Sequence, residues 1–310
     1  FRVGLELRMD KKEALDRIGK SPAELKYLPA HFQKDKKFIL EALKLDGSAL
    51  QYVNKSFKKD REIVLAAVKT WGYALEHAHK TFQKDREIVL TAVKSKSKPL
   101  GGHGAALRYA DKSLWKDREI VLAAVKSDGV ALEYADKTFQ KDKEILLETV
   151  KSQSYGLTYA DKSFKKDKKF MLQAVKLCGG GGALQHADKS LKKDREIVLA
   201  AVKKRGYSLE YADKKFRKDR EIVLIAVKDV GSVLEYADKK FRKDREIVLA
   251  AVKGHGSAII FANKIFRKDK EIVLEVVKDW KMDHALEYVD DSLRNDPDIL
   301  KAHSKKRSYK

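Results

Sequence analysis

The segment Phe241–Lys253 reads FRKDREIVLAAVK, and most of the chain is variation on it. Each copy can be aligned on its aspartate: Asp10, Asp35, Asp60, Asp85, Asp117, Asp142, Asp167, Asp194, Asp219, Asp244, Asp269 and Asp296. Eight of the eleven intervals are 25 residues, and the other three, of 32, 27 and 27, carry insertions. A fixed short period signals supersecondary units that stack because none buries its apolar face alone.

Each period reads as two helices. The anchoring aspartate has the chemistry of an N-cap, a carboxylate able to accept the orphan N–H groups of a first turn. Glu62, Glu87, Glu119, Glu196, Glu221, Glu246 and Glu271 follow two residues later, near the positive end of a helix dipole. The apolar run then leads to a lysine and to Gly47, Gly72, Gly129, Gly179, Gly206, Gly231 or Gly256, where a C-terminal stop is expected. The first helix is therefore about 11 residues, roughly 16 Å long. A shorter second helix is expected over ALEYADKKF and its equivalents. Leu209, Ala212 and Phe216 have the spacing of one helical face.

Six residues after the anchor the copies carry Glu41, Ala66, Thr91, Glu148, Gln173, Ile225 and Glu275, a mixture no buried site accepts. Positions three, four and eight after it stay mostly Ile, Val, Leu or Phe. One narrow stripe is thus expected to face water, with the remaining circumference covered by neighbouring repeats. The expected fold is all-α, an α-solenoid of about 11–12 tandem 25-residue two-helix repeats. Residues 1–34 read as a degenerate N-terminal cap interrupted by Pro22 and Pro29, residues 35–295 as tandem repeats, and residues 296–310 as a C-terminal cap ending in KKRSYK. The insertions, near Ser95–Gly104, Leu177–Gly182 and Asp279–His284, fall between first and second helices and are expected on one edge.

Composition agrees with a folded chain. Among 310 residues, 43% are hydrophobic and 37% charged, so an apolar core can form. No apolar run approaches the roughly 20 residues of a membrane span. The one cysteine, Cys178, excludes an intramolecular disulfide framework. The chain opens at Phe1, which reads as either a processed or a trimmed start, and no targeting segment is visible; an intracellular setting is expected, cytoplasm or organelle matrix, the mitochondrion included.

The net charge is +22, from 68 Lys and Arg against 46 Asp and Glu. It is built into the repeat rather than held in a tail. Lysine precedes the anchor in ten consecutive units, among them Lys59, Lys84, Lys116, Lys141, Lys166, Lys193, Lys218, Lys243 and Lys268. Arginine follows it at Arg61, Arg86, Arg118, Arg195, Arg220 and Arg245. Arg217, Arg242 and Arg267 stand two residues before it, and Lys55 through Lys264 form a further row five before it. All surround the turn from second helix to first. Stacking would align them into a basic edge, and these residues are the candidate nucleic-acid-binding set.

A row of aromatics, Tyr27, Tyr52, Tyr109, Tyr134, Tyr159, Tyr211, Tyr236 and Tyr288, occupies one repeat position, with His77, His186 and Phe261 substituting. Packing of the ring with a wet hydroxyl is the expected role, ahead of base stacking. No two of the eight histidines have the helical spacing of a zinc motif, and the carboxylates recur as caps, so no metal, cofactor, small-molecule substrate or catalytic pair is expected. Cys178 with Gly179–Gly182, and GGHG at Gly101–Gly104, read as inserted turns: no Lys-Ser or Lys-Thr of a phosphate loop follows.

The pattern KDREIVLAAVKxxGxALEYADKxFxKD, running from about Asp10 to Asp296, resembles the helical repeat family known as domain of unknown function 4116. The resemblance implies the helical repeat fold and brings no activity, cofactor or catalytic residue. Function therefore rests on the residues. They point to a non-enzymatic RNA-binding scaffold that lays its basic edge along phosphate, in a setting such as a ribosome or other ribonucleoprotein particle. The alternative is a protein–protein scaffold for acidic or helical partners, using the insertion edge with Trp280 and His103.

Overall fold

A computed structural model describes residues 9–95, 103–152, 154–179, 182–279 and 284–307. The chain divides into two compact units, Phe1–Asp161 and Lys162–Lys310. Each is an all-α solenoid of stacked repeats, with no strand among the described residues.

One repeat gives the plan. Asp60 Oδ1 accepts from the N–H groups of Glu62 and Ile63 at 3.0 and 3.2 Å, starting the ten-residue helix Arg61–Thr70. That helix buries Ile63, Val64, Ala67 and Val68. In the second unit, Arg220–Asp229 buries the equivalent Ile222, Val223, Ala226 and Val227. Two adjacent pairs one turn apart make a single apolar stripe. The wet face is broader than the narrow stripe expected. Positions one, two and nine after the anchor are exposed, and positions five and six are half-buried, as at Leu65 and Ala66. The apolar stripe drives the stacking: each buried Ile or Val contributes about 1.5–3 kcal/mol by leaving water. Truncating Ile222 to Ala would cost about 2–5 kcal/mol, transfer loss plus cavity.

The expected second helix is interrupted. A 3₁₀ helix, Gly206–Tyr211, is followed by extended Ala212 and Asp213 and then a second 3₁₀ helix, Lys214–Lys218. Asp213 causes the break. Its carboxylate accepts from Lys215 N at 3.0 Å, and its own N–H donates to Lys192 O of the preceding repeat at 3.0 Å. Asp136 does the same in the first unit, bonding Thr138 N and, through its N–H, Trp115 O. A short polar side chain that caps its own downstream backbone competes with an uninterrupted helix. Leu209, Ala212 and Phe216 are nevertheless all buried, so the apolar spacing survives the break.

The glycine after the long helix is a packing residue, not a left-handed stop. The residue before it is extended, as at Arg205 with φ −157° and ψ 119°. A Cβ built on Gly206 would stand 2.4 Å from Ala226 O of the next repeat, and on Gly231 2.3 Å from Ala251 O. Gly179, beside the insertion, meets nothing within 4 Å and does not share this role. Hydroxyls add cross-repeat bonds: Thr70 Oγ1 donates to Leu43 O at 2.7 Å and Ser152 Oγ to Val125 O at 2.9 Å.

The first copy keeps the element order, with Lys11–Lys20, Pro22–Tyr27 and Ala30–Lys34, but its long helix buries only Ala14 and Ile18, and Pro29 stands where most later copies carry a capping aspartate. Pro22 opens its 3₁₀ helix, where no N–H is required. At the other end Asp296 caps Pro297–Arg307, which buries Ile299. Most of the insertion residues, Trp280, the His103 side chain and the last three residues of KKRSYK lie outside the described residues.

Candidate nucleic-acid interface

The turn leading into each long helix carries three kinds of basic position, and the structure uses each differently.

The cation after the anchor reaches the next repeat. In the first unit Lys36 lies 2.7 Å from Asp60 and 2.9 Å from Glu62. Arg61 meets Glu87 at 2.5 Å, Arg86 meets Asp117 and Glu119 at 2.7 and 2.5 Å, and Arg118 meets Glu144 at 2.6 Å. In the second unit Lys168 meets Asp194 and Glu196 at 2.8 and 2.9 Å. Arg195 meets Glu221 and Arg220 meets Glu246, each at 2.5 Å. Arg245 meets Asp269 and Glu271, both at 2.6 Å, and Lys270 meets Asp296 at 2.9 Å and Asp298 at 2.8 Å. The mutual effects follow. The Lys168 ammonium holds Asp194 below the usual carboxylate range, and Arg245 does so for Asp269. The hydrogen bonds that Lys168 donates to Asp194 and then to Glu196 raise Lys168 in turn. Arg61, Arg86, Arg118, Arg195, Arg220 and Arg245, all in the candidate set, are therefore rungs of an inter-repeat ladder of ion pairs.

The position two before the anchor is a tether. Arg217 Nη2 donates to Glu210 O at 2.7 Å and Arg242 Nη2 to Glu235 O at 2.6 Å. Lys58 and Lys192 donate likewise to Gln51 O and Gln185 O at 2.8 and 2.7 Å. Gln83 Nε2 and Trp115 Nε1 reach Leu75 O and Leu107 O, both at 3.1 Å. These side chains share one property, a reachable N–H, and it satisfies a carbonyl at the end of the preceding 3₁₀ helix. Burial lowers the Lys58 and Lys192 ammonium groups. Arg267 lies over the Tyr288 ring, 5.3 Å from its centroid. The recurrence of Lys, Arg, Gln and Trp at one position, with no acid and no aliphatic, was the signal for this role in the sequence.

The remaining rows are exposed lysines. Lys59, Lys84, Lys116 and Lys141 in the first unit, and Lys166, Lys193, Lys218, Lys243 and Lys268 in the second, all face solvent. So do the lysines five before the anchor, from Lys55 to Lys264. Among the described residues only two of these have a carboxylate within 4.0 Å: Lys84, 3.8 Å from Asp111, and Lys268, 3.9 Å from Asp290. In most repeats the nearby acid is the cap of the short helix, and Asn54, His79 and Asn263 take that place without a charge in three others. Asp136 is held down first by the Thr138 N–H, with Lys116 a smaller contribution. Two exposed lysines against at most one engaged aspartate leave each of these turns positive.

Apart from Tyr27, which is exposed, the tyrosine row packs. Tyr52, Tyr109, Tyr134, Tyr159, Tyr211, Tyr236 and Tyr288 are half-buried. Burial, then a hydrogen bond to Glu76, raises the Tyr109 phenol, and Arg217 lies 6.0 Å from the Tyr236 centroid. The substituting His186 is lowered to about 4 by burial first and then by Lys165 and Lys192. Cys178 is buried, and no group of His, Cys, Asp and Glu able to hold a metal occurs among the described residues. Among the described residues no helix is long and apolar enough to cross a membrane.

No curated protein and no solved structure matches the chain. The family described as Domain of unknown function (DUF4116) matches at residues 10–58, 60–115, 100–140, 142–180, 167–217, 219–267 and 269–306. Matches such as 10–58, 167–217 and 219–267 each span about two of the repeats described above, and together the matches cover nearly all of the copies. The chain is a member of the DUF4116 family of helical repeats.

Proposed function

We propose that this protein is a non-enzymatic scaffold that binds RNA through the exposed lysines one and five residues before each anchor. The observation that carries this is the division of labour among the cations. The arginines after the anchor are held by carboxylates of the next repeat, whereas the lysine rows run through ten and nine consecutive copies with almost no carboxylate in reach. Unpaired cations at a regular interval suit a phosphate backbone, whose binding is electrostatic and independent of sequence. Each long helix has one side packed in the stack and none among the described residues stands apart as a recognition helix for a DNA major groove, which favours folded RNA as the polyanion. A ribonucleoprotein particle such as a ribosome is the setting this suits.

The test is a salt titration. Replacing Lys193, Lys218, Lys243 and Lys268 with Gln should weaken RNA binding across unrelated sequences. Four lost phosphate contacts should flatten the slope of log affinity against log salt by about 3 for single strands. Replacing Arg195 and Arg220 with Gln should leave the slope nearly unchanged, because those cations are already paired. An unchanged slope in the lysine variant would refute the proposal.

A further inference from the structure

The wet face of the long helices carries a second pattern that solvation does not require. Five residues after the anchor, leucine stands in all eleven copies from Leu15 to Leu274, and each is half-buried. The adjacent position varies from Glu41 to Ala66 to Ile225. Even fully buried positions vary more than the leucine does: three after the anchor, Phe38 and Phe170 alternate with Ile, and four after it Met171 with Val. Lateral packing alone would let a half-exposed leucine drift at least as far as these. Nine after the anchor, lysine stands in all ten copies from Lys44 to Lys278, each exposed.

These rows enclose hollows between successive helices. In the first unit Leu40, Lys44, Leu65 and Lys69 border one of about 610 Å³. In the second unit Leu224, Lys228, Leu249 and Lys253 border one of about 390 Å³ at the same register. Each has a leucine floor, a lysine rim at one end and at the other a glutamate, Glu62 or Glu246, that is already paired with Lys36 or Arg220. Among the described residues Lys44, Lys69 and Lys228 have no carboxylate within 4.0 Å, and Lys253 has only Glu271 at 4.0 Å. This rim stands at the far end of a ten-residue helix from the lysines of the turn, about 15 Å away.

We infer that this face is a track for an acidic polypeptide in extended, polyproline-like form, one apolar side chain seated per hollow and its carboxylates on the lysine rim. The charge of the rim selects an acidic partner. The leucine floor selects a polypeptide over RNA, since phosphate gains nothing from an apolar surface. The spacing selects the conformation. Packed helices stand about 8–10 Å apart, and a polyproline helix returns to the same side every three residues, about 9 Å. An apolar residue at every third position therefore falls into register with the stack.

The probe is a fluorescein-labelled peptide of five Leu-Pro-Glu triplets, titrated into the full chain and compared with Ser-Pro-Glu triplets. Saturable binding of the leucine peptide is expected, at least about tenfold tighter than the serine peptide, as for seated apolar anchors. Changing Ala66, Ala123, Ala200 and Ala250 to Trp interrupts the track twice in each unit. It should weaken the leucine peptide about tenfold while RNA affinity is unchanged. Equal binding of the two peptides would overturn the inference, and so would full affinity in a natively melting tryptophan variant. If the tryptophans unfold the chain, the peptide comparison on the unaltered protein decides. Should Lys69→Glu with Lys253→Glu abolish RNA binding and spare the peptide, the face belongs to nucleic acid and the inference fails.

Discussion

Arg245 Nε lies 2.6 Å from Asp269 Oδ2, so the first residue of one long helix holds the N-cap of the next. The same guanidinium reaches Glu271 at 2.6 Å. The cap therefore has two duties. Its Oδ1 accepts Ile272 N at 3.2 Å within its own repeat, while Oδ2 faces the neighbour's cation. Charge that looks available for a ligand in the sequence is spent on coupling repeats.

The ladder should tolerate lysine and reject reversal. Lys168 and Lys270 already fill this role, so Arg245→Lys should leave the melting temperature nearly unchanged. Arg245→Glu would set three carboxylates together and lower it. Because these groups are half-exposed, the penalty should shrink in high salt. Thermal melts at low and high ionic strength check this, and a salt-independent penalty would count against the ladder.

The tether needs an N–H donor, not a charge. Arg217→Gln should melt close to the parent, since Gln83 bonds a carbonyl from the equivalent position. Arg217→Leu should cost about 1 kcal/mol, because Glu210 O is left without this donor. Denaturant unfolding of the two variants separates them, and equal stability would remove the tether.

Gly206→Ala should destabilise by about 1–3 kcal/mol through overpacking. The added carbon would press on Ala226 O, a backbone atom that cannot rotate away. Gly179→Ala meets open space and should be neutral, which makes it the control for the same denaturant measurement.

Two pH windows follow from the shifted groups. Asp194 and Asp269 are held below the ordinary carboxylate range by Lys168 and Arg245. Their contribution is present above the unfolded value near pH 4 and lost as pH falls through the depressed folded value. His186 is lowered by burial to about 4. For a buried base the unfolded chain takes the proton first, so stability falls from about pH 6.5 downward toward that value. His186→Tyr, which restores the residue most copies carry, should flatten the melting temperature between those limits. A slope unchanged by that substitution would show that His186 is not the group responsible.

The period, the caps and the buried positions were legible in the chain alone, because each is set within one repeat. Asp60, Ile63 and Val64 meet along a single helix, where 3.6 residues per turn fix who is neighbour to whom. The break at Asp213 was less legible. Its spacing to Lys215 is local, but its N–H bond to Lys192 O depends on the stack. What only the tertiary structure decided is which cations are free. Arg220 and Lys218 are near neighbours in the chain with the same charge, yet Arg220 is held by Glu246, 26 residues away, and Lys218 faces solvent. Gly206 was misread for the same reason, since the atom that excludes a side chain there, Ala226 O, belongs to the next repeat. Contacts one period apart exist only once the repeats pack, and packing sorts a uniformly basic turn into rungs, tethers and free lysines.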